Sequence, residues 1–443
     1  MSIELGRQLG FWTLAPFGCM LVAIAVLPLV AEKWFHHNRN KAVLVTILGL
    51  PTLIYLVARF GSLGLHVAAT TAEEYVSFVV LLLALFTIAG GIYLTGNLVA
   101  SPRHNLSFLL AGALLASFIG TMGASMLLIR PLLRANSERT HTRHTAVFFI
   151  FVVCNLGGML TPLGDPPLFM GFLRGVPFAW PLRLWPQWLL MVGLTLVVYL
   201  AVEVYQYRRE PAEALRWDKA DYVPMRLVGA INLLFFALVI VTVLFSGPLG
   251  RAGEILHFPF LREVALVALT VLSVKVGPRG PRAANHFRWA PMVEVAVLFA
   301  GIFATMIPAL ALLQAQGDAV GLSRPWQFFW ASGGLSAFLD NAPTYLAFTA
   351  SVQGQVGAAT VGALTSTQIV PALGLAPAEF LIAISCGTVM MGALTYIGNA
   401  PNLTVRAIAE HSGLKMPSFL GFMGYSVVVL IPMFVAVTVL FFL

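Results

Sequence analysis

The chain has 443 residues, of which 59% are hydrophobic and only 10% are charged. Soluble domains carry about 25% charged residues, and a soluble chain of this length must cover about two or three cores with a polar surface. The 26 basic and 18 acidic residues are too few for that surface. The composition therefore excludes a soluble enzyme and a disordered protein, and it predicts an integral membrane protein.

Long runs without Asp, Glu, Lys or Arg divide the chain into apolar segments, and a membrane-spanning helix needs about 20 apolar residues. These runs predict an all-α polytopic membrane protein with about ten transmembrane helices. In chain order, the predicted spans are 11–30, 42–60, 75–94, 145–173, 187–206, 227–246, 259–276, 292–314, 377–411 and 420–442. The first is interpreted as a span and not as a cleaved signal, because no clear cleavage site follows its long apolar run.

Two further apolar segments, 106–133 and 327–352, are interrupted by small or helix-breaking residues. Gly120 to Ser125 interrupts the first segment, and Asp340 to Thr344 interrupts the second. Each segment is compatible with a transmembrane crossing or with a re-entrant hairpin that enters and leaves on one side of the membrane.

The distribution of basic residues favours the two hairpins. With hairpins, 19 of the 26 basic residues lie on one side of the membrane, whereas two crossings divide them 15 to 11. Cytoplasmic loops are enriched in Lys and Arg, so we predict hairpins, both termini outside the cell and a cytoplasmic linker at 207–226. The plasma (inner) membrane is the expected location.

Five crossings then fall in each half, which requires the second half to be inverted relative to the first. Residues 1–206 form the first predicted repeat, with its hairpin at 106–133 and a broken helix at 145–173. Residues 227–443 form the second, with its hairpin at 327–352 and a broken helix at 377–411. Inverted repeats of this kind are common in secondary transporters.

A short sequence match supports the repeat. The segment GMLTPLGDPP, from Gly158 to Pro167, aligns with GALTYIGNAP, from Gly392 to Pro401, and five of the ten positions are identical. Both segments contain residues that cannot continue a helix, since proline lacks an N–H donor and clashes with the preceding turn. Each predicts a break at membrane depth, where freed backbone groups are tolerated only beside protein or a water-filled cavity.

Broken helices and hairpin tips offer oxygen ligands for a hard cation such as sodium, so we expect the tips to meet the breaks and to form one aspartate-containing site at each. The candidate cation- and proton-binding residues are Thr121, Ser125, Thr161, Asp165, Asp340, Asn341, Thr344, Thr395, Asn399 and Asn402. A buried carboxylate is costly unless it is protonated or paired with a cation. Competition between a proton and a cation for Asp165 or Asp340 would be a simple exchange mechanism. The alternative is that both aspartates only cap helices.

Other classes of function have less support. The basic residues lie in short loops between spans, which argues against nucleic-acid binding. No HExxH sequence or paired cysteine spacing supports a metal centre, so we expect no cofactor, no metal beyond a transported alkali cation, and no enzymatic activity. A passive channel is the remaining alternative to a carrier.

Two motifs resemble those of known transporters. The stretch Asn155 to Asp165 (NLGGMLTPLGD) resembles the NAGG…SPIGD motif of NhaD-type sodium/proton antiporters, and Phe338 to Thr344 (FLDNAPT) resembles their hairpin motif. These antiporters belong to the ion-transporter superfamily, with the arsenite, citrate and dicarboxylate carriers. The resemblance implies an elevator-type homodimer in the lipid bilayer that exchanges sodium (or lithium) for protons. It also implies oxygen-lined sodium sites at the paired tips.

The chain departs from the antiporter motif in two places. It has Thr161-Pro162 where the motif has Ser-Pro, and Pro166-Pro167 follows Asp165. The Pro-Pro form is similar to citrate carriers, so the alternative function is a cation-coupled transporter of citrate or another carboxylate.

Overall fold

The computed structural model describes residues 2–255, Phe258 and residues 260–443. Helices account for 76% of the chain, and the two strands in the described part form one small antiparallel sheet. Among the described residues, seven helical segments are long and apolar enough to cross a membrane, and two shorter apolar helices accompany them. The prediction of an all-α polytopic membrane protein is therefore confirmed.

The first half of the chain contains eleven helices and the first strand. They are α1 (Ser2–Arg7), α2 (Ala15–Val30), α3 (Glu32–Phe35), α4 (Asn38–Phe60), α5 (Ser62–Gly90), β1 (Tyr93–Asn97), α6 (Pro102–Ile119), α7 (Thr121–Ala135), α8 (Arg143–Val152), α9 (Pro166–Leu173), α10 (Trp185–Tyr207) and α11 (Ala212–Ala220). Short 3-10 helices lie at Phe11–Leu14, Leu156–Met159 and Trp180–Leu184.

The second half contains the second strand and ten helices in the described residues. They are β2 (Val223–Val228), α12 (Ile231–Leu244), α13 (Ser246–Ile255), α14 (Leu261–Val276), α15 (Arg279–Ala284), α16 (Ala290–Ala315), α17 (Pro325–Ser336), α18 (Asn341–Val356), α19 (Pro377–Met391), α20 (Ala400–His411) and α21 (Phe419–Phe441). Short 3-10 helices lie at Gly317–Val320, Val361–Thr365 and Gly392–Leu394.

Three predicted span boundaries differ from the structure. The span predicted at 75–94 begins at Ser62, because glutamate is a good helix former and Glu74 pairs with Arg174 at 2.9 Å instead of ending the helix. The end of that span and the start of the span at 227–246 belong to β1 and β2, which pair with each other. The predicted start of another span, at position 259, lies outside the described residues.

Both segments predicted as hairpins consist of two helices with a sharp break between them. The first hairpin, α6 and α7, breaks at Gly120, whose φ of +79° favours glycine because it lacks a Cβ. The second hairpin, α17 and α18, breaks between Ser336 and Asn341.

Both predicted broken helices also consist of two separate helices. In the first broken helix, α8 ends at Val152 and α9 begins at Pro166. In the second, α19 ends at Met391 and α20 begins at Ala400. A proline stands in the first turn of α9 and of α20, a position where its missing N–H is not needed.

The hairpins and broken helices pack across the two halves of the chain. Helix α7 of the first hairpin packs against α20 of the second broken helix, and α18 of the second hairpin packs against α9 of the first broken helix. This exchange is reciprocal between the two halves. The tips of the two hairpins and the interruptions of the two broken helices consequently meet in one region.

A buried ionic network fixes the base of the first hairpin. The Arg139 guanidinium donates to the Glu203 carboxylate at 2.6 and 3.3 Å, and both side chains are 0% exposed. His144 Nε2 lies 2.6 Å from the other side of that carboxylate, and the Asn105 amide donates to it at 2.9 Å. These contacts connect α6, α8 and α10 through one charged group.

Removing Glu203 should destabilise the protein, because it leaves the Arg139 charge buried without its nearest partner. We expect Glu203→Ala to lower the free energy of unfolding by about 3–5 kcal/mol. The matched control is Glu410→Ala, which removes an exposed ion pair with Arg406 and should cost less than about 1 kcal/mol. Thermal unfolding of the purified variants measures the difference, and equal stabilities would contradict the role of the network.

Candidate functional site

The Asp165 carboxylate lies directly before α9 and is only 2% exposed. Its Oδ1 accepts hydrogen bonds from the Thr121 hydroxyl and the Asn399 amide, each at 3.1 Å. Its Oδ2 accepts a hydrogen bond from the Asn341 amide at 2.5 Å. These donors stand at the first hairpin tip, the second broken helix and the second hairpin tip. The Asp165 carboxylate therefore connects both hairpin tips and both helix interruptions.

The local electrostatics act on Asp165 in two opposing ways. Burial away from water disfavours a charged carboxylate. The N-terminal ends of α7, α9, α18 and α20 all lie at this point, and helix N-termini carry partial positive charge that stabilises an anion. Within the described residues, no Lys, Arg or His forms an ion pair with Asp165. The group is thus held only by neutral donors and helix dipoles.

In each half of the chain, one threonine hydroxyl connects the hairpin to the broken helix. The Thr161 hydroxyl donates to the Ser117 carbonyl oxygen, and the Thr395 hydroxyl donates to the Ala337 carbonyl oxygen at 2.5 Å. Each hydroxyl also accepts a hydrogen bond from the backbone N–H two residues later, at 3.2 Å in both cases. Both threonines use these bonds to fix the shape of the breaks.

Paired glycines allow each break to fold tightly on itself. A Cβ added at Gly164 would lie 2.1 Å from the Gly158 carbonyl oxygen, and a Cβ at Gly398 would lie 2.6 Å from the Gly392 carbonyl oxygen. Both distances are far below a van der Waals contact, so only glycine fits at either position. The two breaks therefore share the same local geometry, with Asp165 following the first and Asn399 following the second.

Asn155 and Asn402 connect the two broken helices to each other. The Asn155 amide donates to the Asn402 side-chain oxygen at 2.9 Å, and its own oxygen accepts a longer bond from Asn399 at 3.4 Å. The Asn402 amide donates to the carbonyl oxygens of Gly392 and Thr395, each at 2.9 Å. Asn402 thus satisfies carbonyl groups that the second break frees, and Asn155 positions Asn399 beside Asp165.

Asp340 lies at the second hairpin tip and is partly buried. Its carboxylate accepts a hydrogen bond from the Ala342 N–H at 3.1 Å, so it caps α18. Asp340 and Asp165 line one cavity of about 90 Å³, called here the aspartate cavity, whose remaining wall is largely apolar and comes partly from α5 and α16. No Lys, Arg or His is among the residues that line it.

The ten predicted site residues divide into two groups of five. Those that line the aspartate cavity are Thr121, Asp165, Asp340, Asn341 and Asn399. The others are Ser125, whose hydroxyl lies 3.1 Å from Cys154 Sγ, Thr344, which donates to the Asp340 carbonyl oxygen, and the structural residues Thr161, Thr395 and Asn402. The sequence predicted one site at each break, whereas both hairpin tips and both breaks meet at one aspartate.

Sequence reasoning did not single out Asn155 or Ser117. Asn155 stands in the motif NLGG but gave no sign of its contact with Asn402, which lies 247 positions away. The Ser117 hydroxyl donates to the Gly157 carbonyl oxygen at 2.5 Å and thereby ties α6 to the first break. A serine inside an apolar helix carries no signal of such a role.

The assembled groups suit the binding of a proton or a hard cation. A carboxylate without a cationic partner can accept either one, and the hydroxyl and amide groups around it offer further oxygen atoms. An Asn side chain turned by 180° presents its oxygen in place of its nitrogen, and Asn341 and Asn399 both contact Asp165 through this group.

The close glycine contact should be necessary for this geometry. We expect Gly164→Ala to lower the free energy of unfolding by about 1–3 kcal/mol, because the new methyl group collides with the Gly158 backbone. Gly193→Ala in α10 is the control, since a Cβ there meets nothing within 4 Å. Thermal unfolding of both purified variants provides the measurement. Equal stability of the two would contradict the contact.

Comparison with known protein families identifies the family to which the chain belongs. Residues 6–442 match the model of a family described as "Putative citrate transport". No curated protein sequence matches the chain. The family match extends across both hairpins and both broken helices, which is nearly the whole chain. The chain therefore belongs to this family of ion transporters, and the protein is a multi-pass membrane protein and a secondary transporter.

Proposed function

We propose that the protein is a sodium (or lithium)/proton antiporter in which Asp165 alternately binds a proton and the cation. The observation that carries this proposal is the environment of Asp165, which is almost fully buried and has only neutral hydrogen-bond donors. A buried carboxylate that lacks a cationic partner must be neutralised. A proton or a cation achieves this, but not both at once, and such exclusion couples the two fluxes.

The composition of the aspartate cavity supports a cation as the transported species. Asp165 and Asp340 both line it, and no basic residue does. A polyanion such as citrate would be repelled by two carboxylates unless cations accompanied it. Sodium prefers oxygen ligands, and the hydroxyl of Thr121 and the amides of Asn341 and Asn399 lie within hydrogen-bonding distance of Asp165.

For the transport cycle, we propose alternating access of the elevator type. The aspartate cavity lies between α5 and α16 on one side and the hairpin tips and breaks on the other. Movement of the second group past the first would carry Asp165 from one side of the membrane to the other. Two inverted repeats, a homodimer, a plasma-membrane location and external termini belong to the same proposal.

The second candidate is a cation-coupled transporter of citrate or another carboxylate. The family description favours it, and so does the convergence of four helix N-termini, which stabilise negative charge. In this case the cation bound by Asp165 would screen the carboxylate substrate. The two candidates differ in whether sodium alone moves protons.

Purified protein in proteoliposomes with an acidic interior separates these candidates. We expect external sodium or lithium chloride to make the interior alkaline, as measured by a trapped pH-sensitive dye, and choline chloride to have no effect. Proton movement that requires citrate, with uptake of labelled citrate, would contradict antiport and support the carboxylate carrier.

Replacement of the central carboxylate tests its role directly. We expect Asp165→Asn to reduce sodium-evoked proton flux to the level of protein-free liposomes, because an amide cannot exchange a proton for a cation. Asp340→Asn should also lower the flux, since it removes the second charge from the aspartate cavity. Asp318→Asn is the control, because Asp318 is exposed and outside this cavity. Normal exchange by Asp165→Asn would reduce Asp165 to a helix cap.

A further inference from the structure

A second cavity adjoins the aspartate cavity, and one member of an ion pair, Glu294, lines it. This ion-pair cavity has a volume of about 200 Å³. The two cavities share part of their lining, including Asp340, Met122, Pro291 and Phe299. Asp340 therefore lines both cavities and lies between Asp165 and Glu294 in their combined lining.

The ion pair is formed by Glu294 of α16 and Lys41 of α4. The Lys41 Nζ lies 2.7 Å from Glu294 Oε1, and the Phe35 ring lies 4.9 Å from the same ammonium group. Lys41 stands in the first turn of α4 and Glu294 in the second turn of α16. Glu294 and Phe35 line the ion-pair cavity, whereas Lys41 contacts both of them from outside its lining.

The two members of the pair differ in their exposure. The Lys41 side chain is 2% exposed, whereas the Glu294 side chain is 43% exposed. Within the described residues, Lys41 is the only ion-pair partner of Glu294. Glu294 therefore has one oxygen on the ammonium group and a large part of its side chain free for another contact.

Burying an ionised group inside a membrane protein costs free energy, so the group that pairs with it indicates its role. The partner here is an ammonium group, which is itself a monovalent cation attached to the chain by a flexible side chain. A transported sodium ion in this cavity would meet a carboxylate that already binds a cation. It must share that carboxylate with Lys41 or displace Lys41 from it.

We propose that Glu294 binds the transported monovalent cation on its route to Asp165 and that Lys41 competes with that cation for Glu294. The inference rests on the proposed function, because a route is needed only if a cation is transported. It adds a third carboxylate to the transport path, on the helices α4 and α16 that do not belong to the hairpins or broken helices.

If Lys41 competes with sodium for Glu294, removing Lys41 and removing Glu294 should change the half-saturating sodium concentration in opposite directions. Glu294→Gln removes a cation ligand and should raise the half-saturating sodium concentration roughly three- to tenfold. Lys41→Met removes the competitor and should lower that concentration. The double variant should behave like Glu294→Gln, since Lys41 acts only through Glu294. A merely structural ion pair would instead weaken the protein in both single variants without opposite shifts.

The experiment measures sodium-evoked proton flux in proteoliposomes over a range of sodium concentrations. Glu410→Gln is the matched control, because Glu410 is also 43% exposed and paired with an arginine but does not line either cavity. We expect the control to match the wild type. Unchanged half-saturation in both single variants, or shifts in the same direction, would overturn the inference while the antiport of the wild type still stands.

Two more conservative variants test the inference if Glu294→Gln or Lys41→Met does not fold. Lys41→Arg keeps the charge and should raise the half-saturating sodium concentration, because guanidinium binds carboxylate through two hydrogen bonds. Glu294→Asp shortens the side chain that binds the cation and should also raise the half-saturating sodium concentration.

If the wild type shows no sodium-evoked proton flux, the proposed antiport fails. Sodium-driven citrate uptake then becomes the readout, and we expect the same opposite shifts of the half-saturating sodium concentration in Glu294→Gln and Lys41→Met. Absence of any sodium dependence would overturn the inference too.

Discussion

The structure depends on one hydrogen-bonded carboxylate, that of Asp165. Its three hydrogen-bond donors belong to the two hairpins and the second broken helix. Asp165 itself directly precedes α9, which is the second part of the first broken helix. Four helices therefore begin at a single anionic group in the interior of the protein. Helix N-termini and neutral donors stabilise the negative charge, whereas burial opposes it. In the proposed antiport mechanism, a group held in this balance exchanges a proton for a cation.

The two breaks are alike in local backbone geometry but differ in the charge of the residue that follows them. Both breaks have a threonine that binds the neighbouring hairpin and a pair of glycines in close contact. The first break then ends in Asp165 and the second in Asn399, whose amide donates to Asp165. An acid after one break and an amide after the other place one carboxylate at the contact between the two breaks. Two acids at this distance would repel each other.

The sequence was sufficient to predict the fold class and the places where four apolar segments are interrupted, because these features depend on local patterns of apolar residues, proline and glycine. It did not predict the start of α5, the strand pair or the burial of Glu203 with Arg139. It also predicted two sites instead of one. Asn341 and Asn399 contact Asp165 across 176 and 234 positions of the chain. Contacts of that range follow from how the halves pack, and no local pattern records them.

The central claim is that a proton and a cation exclude each other at Asp165. The most direct measurement is the release of protons when sodium is added to purified protein in a weakly buffered detergent solution at a pH where exchange occurs. We expect the wild type to release protons in proportion to the sodium bound and Asp165→Asn to release none. Sodium binding without proton release, or equal release by the variant, would contradict it.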